Sequence, residues 1–361
     1  MDLAETTDAA DARAPRRRRR SLAFDLTALG VAGVLVLGAL GFGAVTVYTQ
    51  LYSASAFVER YLSLLGSGSA ADALAVPGVA MDDGELTAAG LPNTASEVLL
   101  RRAALTALSD VRVVDEEPHD GVTEVTVAYS AGGHRGRTSF HVERDGWIGV
   151  APAWRFAESP LAAVDLTVRG ATRFSVNGFE IDTRQVAPEG VDADPLTPVS
   201  MLVFSPGAYS IAVDTATSTS PGVAVLSDMP GKTIPVDLQT QPTDEFVNVV
   251  QDRVDEFLAS CATQQVLQPT GCPFGYFVRN RVEGAPTWSM TENPEVTVVP
   301  DGAQWAIPTT RAVAHIDVDV RSLFDGRVNE VSEDVEFFLG GTITILPDGT
   351  ASIQVSAAQE P

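Results

Sequence analysis

Apolar residues crowd into one unbroken stretch near the start of the chain and afterwards fall into short periodic runs. Leu26 to Val47 is uncharged and mostly apolar. As a helix rising 1.5 Å per residue it spans roughly 33 Å, enough to cross the hydrocarbon core of a bilayer. Beyond it, Phe57, Tyr61, Leu64 and Leu65 recur at helical spacing, and Ala71 to Leu74 opens a second short helix before Pro77-Gly78. Thr94 or Ser96 caps a predicted third helix, Ser96 to Leu108, with Leu99, Ala103 and Leu105 to Leu108 facing inward. Alternating strands follow. Val125, Val127 and Tyr129 share one face, Phe140 and Val142 come after Gly132-Gly133, and Trp147 to Phe156 follows an expected turn at Asp145-Gly146.

From Leu161 to Gln239 the helical period is missing. Short apolar runs predict strands at Val164 to Val168, Phe174 to Val176, Val199 to Phe204, Tyr209 to Val213, Val223 to Leu226 and Ile234 to Leu238. Asn177-Gly178 is a hairpin signal and Pro206-Gly207 marks another turn. The pattern is that of a small β-sandwich. From Pro242 on, the first layout returns. Thr243 caps a helix with Asp244 and Glu245 in its first turn, where the dipole favours acids. Phe246, Val249, Val250, Val254, Phe257 and Leu258 form its apolar stripe.

After that helix, strands are expected at Tyr276 to Val282, Val296 to Val299, Trp305 to Ile307, Ala312 to Val320, Val335 to Leu339, Thr342 to Leu346 and Ser352 to Val355. In the fourth of these, Ala312, Ala314, Ile316, Val318 and Val320 alternate with His315, Asp317 and Asp319, the mark of a half-buried antiparallel strand. The predicted division is a tail over 1–25, a membrane helix over 26–49, an α+β unit over 53–159, an all-β unit over 161–240 and a second α+β unit over 242–361.

Charge gives the membrane segment a direction. Arg16, Arg17, Arg18, Arg19 and Arg20 stand just before it, and arginines are held on the cytoplasmic side, so residues 50–361 are expected outside a cell membrane crossed once. Ala54-Ser55-Ala56 matches a signal-peptidase pattern, but the apolar run exceeds the 7 to 15 residues of a usual signal core, which favours an uncleaved anchor. Small residues four apart, Ala28/Ala32 and Ala39/Gly43, are ordinary membrane-helix composition. The first 25 residues hold six arginines and five acids, leaving 18 basic and 42 acidic residues, a net of −24, in the remainder. Such a surface is unsuited to gripping nucleic acid or anionic lipid. The single lysine, Lys232, among 23 arginines fits a genome rich in G and C.

Two cysteines, Cys261 and Cys272, both fall in the expected outer part. An even count outside the cytoplasm reads as a disulfide, and ten intervening residues with no histidine nearby fit neither a redox CxxC nor a zinc site. The histidines, His119, His134, His141 and His315, read as turn or outward strand positions. Asp82-Asp83, Asp192/Asp194 and Asp317/Asp319 are not followed by the spaced oxygens and glycine of a calcium loop. Inward positions Val125, Val127, Phe140, Val142, Ile316 and Val318 are apolar, and Trp147, Trp154, Trp288 and Trp305 read as core or rim packing. No catalytic residue, metal ligand or cofactor site is implied.

Helices followed by a long antiparallel sheet, twice over, resembles the NTF2-like or cystatin-like α+β roll. The resemblance lies in FVERYLSLLGSGSAADAL at 57–74, WRFAESPL at 154–161 and CATQQVLQPTGCPFG at 261–275. The plan, one anchor and such rolls outside flanking a small all-β sandwich, is similar to bacterial TcaA-like membrane proteins, though residues 1–25 hold no cysteine for their zinc ribbon. The resemblance implies a fold that hosts enzymes and passive binders alike. The orientation signal, the acidic multidomain ectodomain and the lack of a reactive constellation lead to the expectation of a non-catalytic envelope protein that binds or scaffolds envelope protein or cell-wall components, with membrane lipid as the other partner. A small-ligand receptor or enzyme with a pocket inside one cone is the alternative. A tail of 25 residues is too short for a folded signalling domain. Protease added to intact cells should digest residues 50–361; their protection would overturn the predicted orientation.

Overall fold

The computed structural model describes residues 51–149, 151–346 and 350–359. Arg16 to Arg20 and the apolar stretch 26–49 lie outside the described residues. Among the described residues no helix is long and apolar enough to cross a membrane. The fold is mixed α+β, mostly strands with few helices, the strands forming several antiparallel sheets and a half-barrel.

The first part opens with α1 (Ala54–Gly66), α2 (Ala70–Leu74) and α3 (Asp83–Ala88). Ser53 caps α1 by accepting from the Ala56 amide. Asp82 and Glu85 form a reciprocal capping box on α3, giving the Asp82-Asp83 pair a local structural use. Four strands follow in sequential order: β1 (Leu108–His119), β2 (Val122–Ala131), β3 (His134–Ile148) and β4 (Ala151–Phe156). The buried face of α1, Phe57, Val58, Tyr61, Leu62 and Leu65, packs on Val125, Val127, Phe140, Val142 and Phe156.

Two expectations here are corrected. Ser96 to Leu108 is two 3-10 turns, Glu97–Leu99 and Arg102–Ala104, followed directly by β1. Leu99 enters the core of the middle part while its neighbour Leu100 enters the first core. One helical face cannot serve two cores with adjacent residues about 100° apart. Strand β3 also runs through Asp145-Gly146, where the register shifts between Arg144 and Trp147 and Gly146 takes a φ of 86°. That is a bulge, and the turn comes after Ile148.

The middle part holds two sheets. Strands β5 (Leu161–Arg169), β6 (Arg173–Val176), β7 (Phe179–Asp182), β8 (Val199–Phe204) and β9 (Gly207–Ala212) are joined by β10 (Ser218–Thr219), β11 (Val223–Ser227), β12 (Thr233–Gln239) and β13 (Gln241–Pro242). A three-stranded sheet is ordered β12-β5-β8 and a four-stranded one β11-β9-β6-β7. The expected absence of helix is corrected by α4 (Thr183–Val186), one turn capped by Asp182. The Asn177-Gly178 hairpin joins β6 to β7, both residues at positive φ, 52° and 83°, as a type I′ turn requires.

Strand β5 is buried along nearly its whole length. Leu161 and Ala163 belong to the first core with Leu202 and Phe204 of β8, whereas Ala162, Val164, Leu166 and Val168 belong to the middle core. The sheet is a wall shared by two cores, and its parallel β12–β5 pairing suits a strand covered on both faces. Tyr61 fastens α1 to this wall by donating to the Ser205 carbonyl at 3.2 Å.

The last part is α5 (Asp244–Ala262), capped by Thr243 through the Phe246 amide, then β14 (Arg281–Glu292), β15 (Val299–Asp301), β16 (Gln304–Arg321), β17 (Val328–Ile345) and β18 (Ala351–Ala357). The order is β14-β16-β17-β18, with β15 paired to β16. Pairs of expected strands are here single long ones. Gln304–Arg321 absorbs Pro308 in a register shift between Ile307 and Thr310, and β17 carries Gly340 and Gly341 within its ladder. Residues 276–280 are not strand, and 296–298 stay unpaired ahead of β15. Strand β14, missed around Gly284 and Pro286, contains Trp288. Among the described residues β18 pairs with Leu339 to Ile345, and Val328 to Phe338 is laddered on one side, with β16.

Helix α5 buries Phe246, Val250, Val254 and Leu258 against Ala312, Ala314, Ile316, Val318 and Val320. Cys261 and Cys272 form the expected disulfide, 5.9 Å between Cα atoms. Closing a loop of this size stabilises the fold by about 3 kcal/mol in the chain-entropy model. The shared wall has a measurable consequence. Leu202→Ala, on β8, should cost about 2–5 kcal/mol and speed amide hydrogen exchange throughout α1. Unchanged exchange in α1 would show that the wall does not couple the two cores.

Candidate functional site

The first place to look for chemistry is the concave face of each large sheet. Val125, Val127, Phe140, Val142, Ile316 and Val318 are all at most 4% exposed. The first interior is closed by aromatic contacts, Tyr61 lying edge-on to Phe140 and Phe156 with ring centres 6.1 and 5.1 Å away. Burial pushes the Tyr61 hydroxyl pKa well up, with nearby Tyr209 adding to the shift, so it stays protonated and acts as a donor. In the last part Trp305 is 1% exposed and edge-on to Phe246 at 6.0 Å. Trp288 donates to the Val266 carbonyl at 2.8 Å and packs on Phe274. Trp154 is half-buried on the rim and donates to the Tyr52 carbonyl, while Trp147 is exposed. Core and rim account for three of the four tryptophans.

The histidines are spread over different surfaces. His119 and His134 are exposed beside the β1–β2 and β2–β3 turns. His141 Nδ1 lies 3.0 Å from Glu158 Oε2. His315 is the best held. Its Nδ1 is 2.8 Å from Asp334 Oδ1, and its Nε2 is 3.0 Å from Ser332 Oγ and 3.4 Å from Asp317 Oδ1. The hydrogen bond to Asp334 raises its pKa most, and the charges of Asp317 and Asp334 add to it. Asp334 is lowered in return, chiefly by His315.

Serine, histidine and aspartate here have the connectivity of a nucleophile, its base and an orienting acid. The electrostatics oppose that use. A histidine favoured in its protonated form donates from both nitrogens and is poorly placed to take a serine proton. Ser332, Asp317 and Asp334 also stand exposed on the outer face of the sheet. The cluster ties β16 to β17.

The acidic pairs separate in the same way. Asp194 accepts from the Leu196 amide at 2.9 Å, Asp192 closes the 3-10 turn Gly190–Asp192, and Asp317 and Asp319 are exposed on β16. Among the described residues no group of three or more histidine, cysteine, aspartate or glutamate side chains is arranged to hold a metal ion. The disulfide loop is braced by Gln264, which accepts from the Thr270 amide at 2.8 Å.

Several surface concavities bring polar side chains together, and two of them contrast in how their charge is answered. At the junction of the middle and last parts a cavity of about 280 Å³ is lined by Thr172, Arg184, Thr217, Gln304 and Ile345 among others. Its cationic charge is largely answered from within. Arg184 makes a bidentate pair with Asp182 at 2.8 and 2.6 Å, and Arg173 comes within 3.7 Å of the same carboxylate. Arg184 foremost holds the Asp182 carboxyl below the usual carboxylate range.

The second concavity, of about 480 Å³, lies on the first sheet and is different in kind. It is lined by Arg112 of β1, Ala128 and Ser130 of β2, and Arg135 and Arg137 of β3, with Asp110 at one end. The three arginines are exposed, and none makes a side-chain ion pair or hydrogen bond with a described residue. Asp110 instead accepts from Ser130 Oγ at 3.2 Å. Sequence reading missed this trio because it did not identify β1, and without the register Arg112 stands more than twenty residues from the others. The alternation of Arg135, Gly136 and Arg137 is the one local signal.

Comparison finds no matching family model, no similar curated protein and no similar solved structure. One electrostatic outcome follows for His315. The imidazole should titrate above the free value of about 6.5, and Asp334→Asn should bring its NMR-observed midpoint down. Because the folded pKa is raised, its stabilising effect is full below about pH 6.5 and fades as pH rises through the elevated value. His315→Gln should abolish that part of the pH dependence; an unshifted midpoint in the parent protein would refute the assignment.

Proposed function

We propose that this chain is a non-catalytic, membrane-anchored extracytoplasmic protein that binds or scaffolds components of the cell envelope. In this reading residues 26–49 are the anchor, Arg16 to Arg20 hold the tail in the cytoplasm, and 53–159 and 242–361 are NTF2-like or cystatin-like rolls flanking a sandwich over 161–240. One observation carries the reading: the two inner faces where a roll-type enzyme would keep its reactive groups are filled by buried apolar side chains, clamped under α1 and α5. The polar groups that remain unanswered lie on an outer surface, where a partner reaches them. The disulfide supports an oxidising compartment, and the acidic balance suits a soluble module held above a membrane.

A second reading, a small-ligand receptor, is favoured by one feature. A concavity of about 560 Å³ opens between α5 and β18, lined by Arg253, Phe257, Ile353 and Val355. Its one charged side chain, Arg253, is paired with Glu256 at 2.7 Å on the same helix, leaving little charge to fix a polar ligand.

In-cell photocrosslinking from the outer face of β1 to β3, followed by identification of the captured species, tests the leading reading. Envelope proteins or wall polymers are the expected captures. Single substitutions of His141, His315 or Asp334 should leave capture within about twofold. A turnover activity lost on any of these substitutions would sink the non-catalytic reading.

A further inference from the structure

From the register of the first sheet we infer a binding site for an extended anionic polymer, one carrying phosphate or carboxylate groups along its length. Arg112, Ala128 and Arg137 stand opposite one another across β1, β2 and β3, and Arg135 stands opposite Ser130 in the next row. Residues directly opposite on antiparallel strands share a face. Strands lie about 4.8 Å apart, so the Arg112 and Arg137 backbones are about 10 Å apart, while Arg135 and Arg137 are about 7 Å apart along β3. Ala128 between them contributes no bulk, and the space above it is the concavity of about 480 Å³.

Freedom from internal partners separates these arginines from others in the chain. Arg169 is held by Asp237, Arg184 by Asp182, Arg321 by Glu283 and Arg311 by both Glu292 and Glu336. In a sequence with 47 acids and 24 bases, three guanidinium groups meet at one concavity with no carboxylate paired to any of them among the described residues, Asp110 at its end being held by Ser130. Each offers a planar fork of donors that fits a phosphate or carboxylate oxygen pair. Their spacing exceeds the span of a single such group, so they suit successive groups on one chain.

Past β3 the charge becomes mixed, with Asp228 and Glu158 beside the cations. Arg137 also lines a neighbouring concavity of about 350 Å³ together with Lys232, the only lysine of the sequence. Thr138 donates to the Asp228 carbonyl at 2.8 Å and fixes the loop that carries Lys232 against β3. The protein's overall negative charge gives no long-range attraction, so binding depends on contacts within a Debye length of about 8–10 Å. The inference deepens the binding reading above and rests on it for its biological setting alone, because the chemistry can be tested in solution.

The test uses the full chain in detergent, with length-matched linear polyphosphate and polyglutamate as probes and calorimetry as readout. Both polymers should be retained at physiological salt or one preferred, the preference naming phosphate or carboxylate as the source, and affinity should fall as salt rises. The triple variant Arg112→Gln, Arg135→Gln, Arg137→Gln should bind at least tenfold more weakly. Arg253→Gln, on α5, should change nothing. No binding of either polymer, or undiminished binding by a triple variant with the parent's circular dichroism, would overturn the site. If polymer binding were intact but in-cell capture yielded only cytosolic species, the envelope reading would fall and the site would stand.

Discussion

Burial of one sheet on both faces is the constraint on which the described residues of the first and middle parts depend. Strands β5 and β8 have water on neither broad side: Leu161, Ala163, Leu202 and Phe204 look toward α1, and Ala162, Val164, Met201 and Val203 look toward β6 and β9. Where β5 lies between both cores it carries no polar residue, LAAV; beyond Val164 the strand alternates, with Asp165, Thr167 and Arg169 on the face opposite Leu166 and Val168. Two small alanines keep the wall thin where helix and sheet approach it. Fully burying a leucine or phenylalanine side chain contributes about 1.5–3 kcal/mol, and each such residue here serves a core that the next residue in the chain does not. The sheets before and after the wall are therefore halves of one cooperative structure.

The last part solves the same packing problem without sharing. Its 18-residue strands β16 and β17 pair along most of their lengths and wrap their apolar face on a single long helix. Contact with the middle part comes through Trp305. A Cβ on Gly170 would sit 3.0 Å from the Trp305 ring and 2.5 Å from Thr240 Oγ1, and Gly170 has a φ of 84°. Glycine is needed there both for the backbone angle and for the close approach. The Trp305 Nε1 is buried with no hydrogen-bond partner among the described atoms, so this side chain is held by packing alone.

Much of this was legible in the residues, and the misses share a cause. Helix α5 announced itself by the Thr243 cap and the apolar stripe that follows it, and α1 by its apolar spacing alone. The strands of the middle part were legible because turn residues bound them: Asn177-Gly178 and Pro206-Gly207 fall where the chain reverses. The segment Ser96 to Leu108 misled because its leucines have helical spacing while serving two cores, a fact held only in tertiary structure. Strand β14 hid behind Gly284 and Pro286, and long strands looked broken where a proline sat in a bulge of β16 or paired glycines sat within the ladder of β17. The disulfide was legible from count and spacing. The arginine concavity was not, since what assembles Arg112 with Arg135 and Arg137 is strand register, and a one-residue slip would turn Arg112 to the other face.

The half of β17 that has no second partner strand among the described residues bears on how the molecule meets its own copies. Its edge runs from Val328 to Phe338 and displays Glu330, Glu333, Asp334 and Glu336, all exposed. An open edge of that length would ordinarily invite another chain to add a strand and start a growing stack. Here a second copy arriving edge to edge would set its Glu330 and Glu333 against the same carboxylates, Asp334 and Glu336 being held already by His315 and Arg311. The repulsion acts at the distance where strands would pair, so it opposes edge-to-edge addition of another copy.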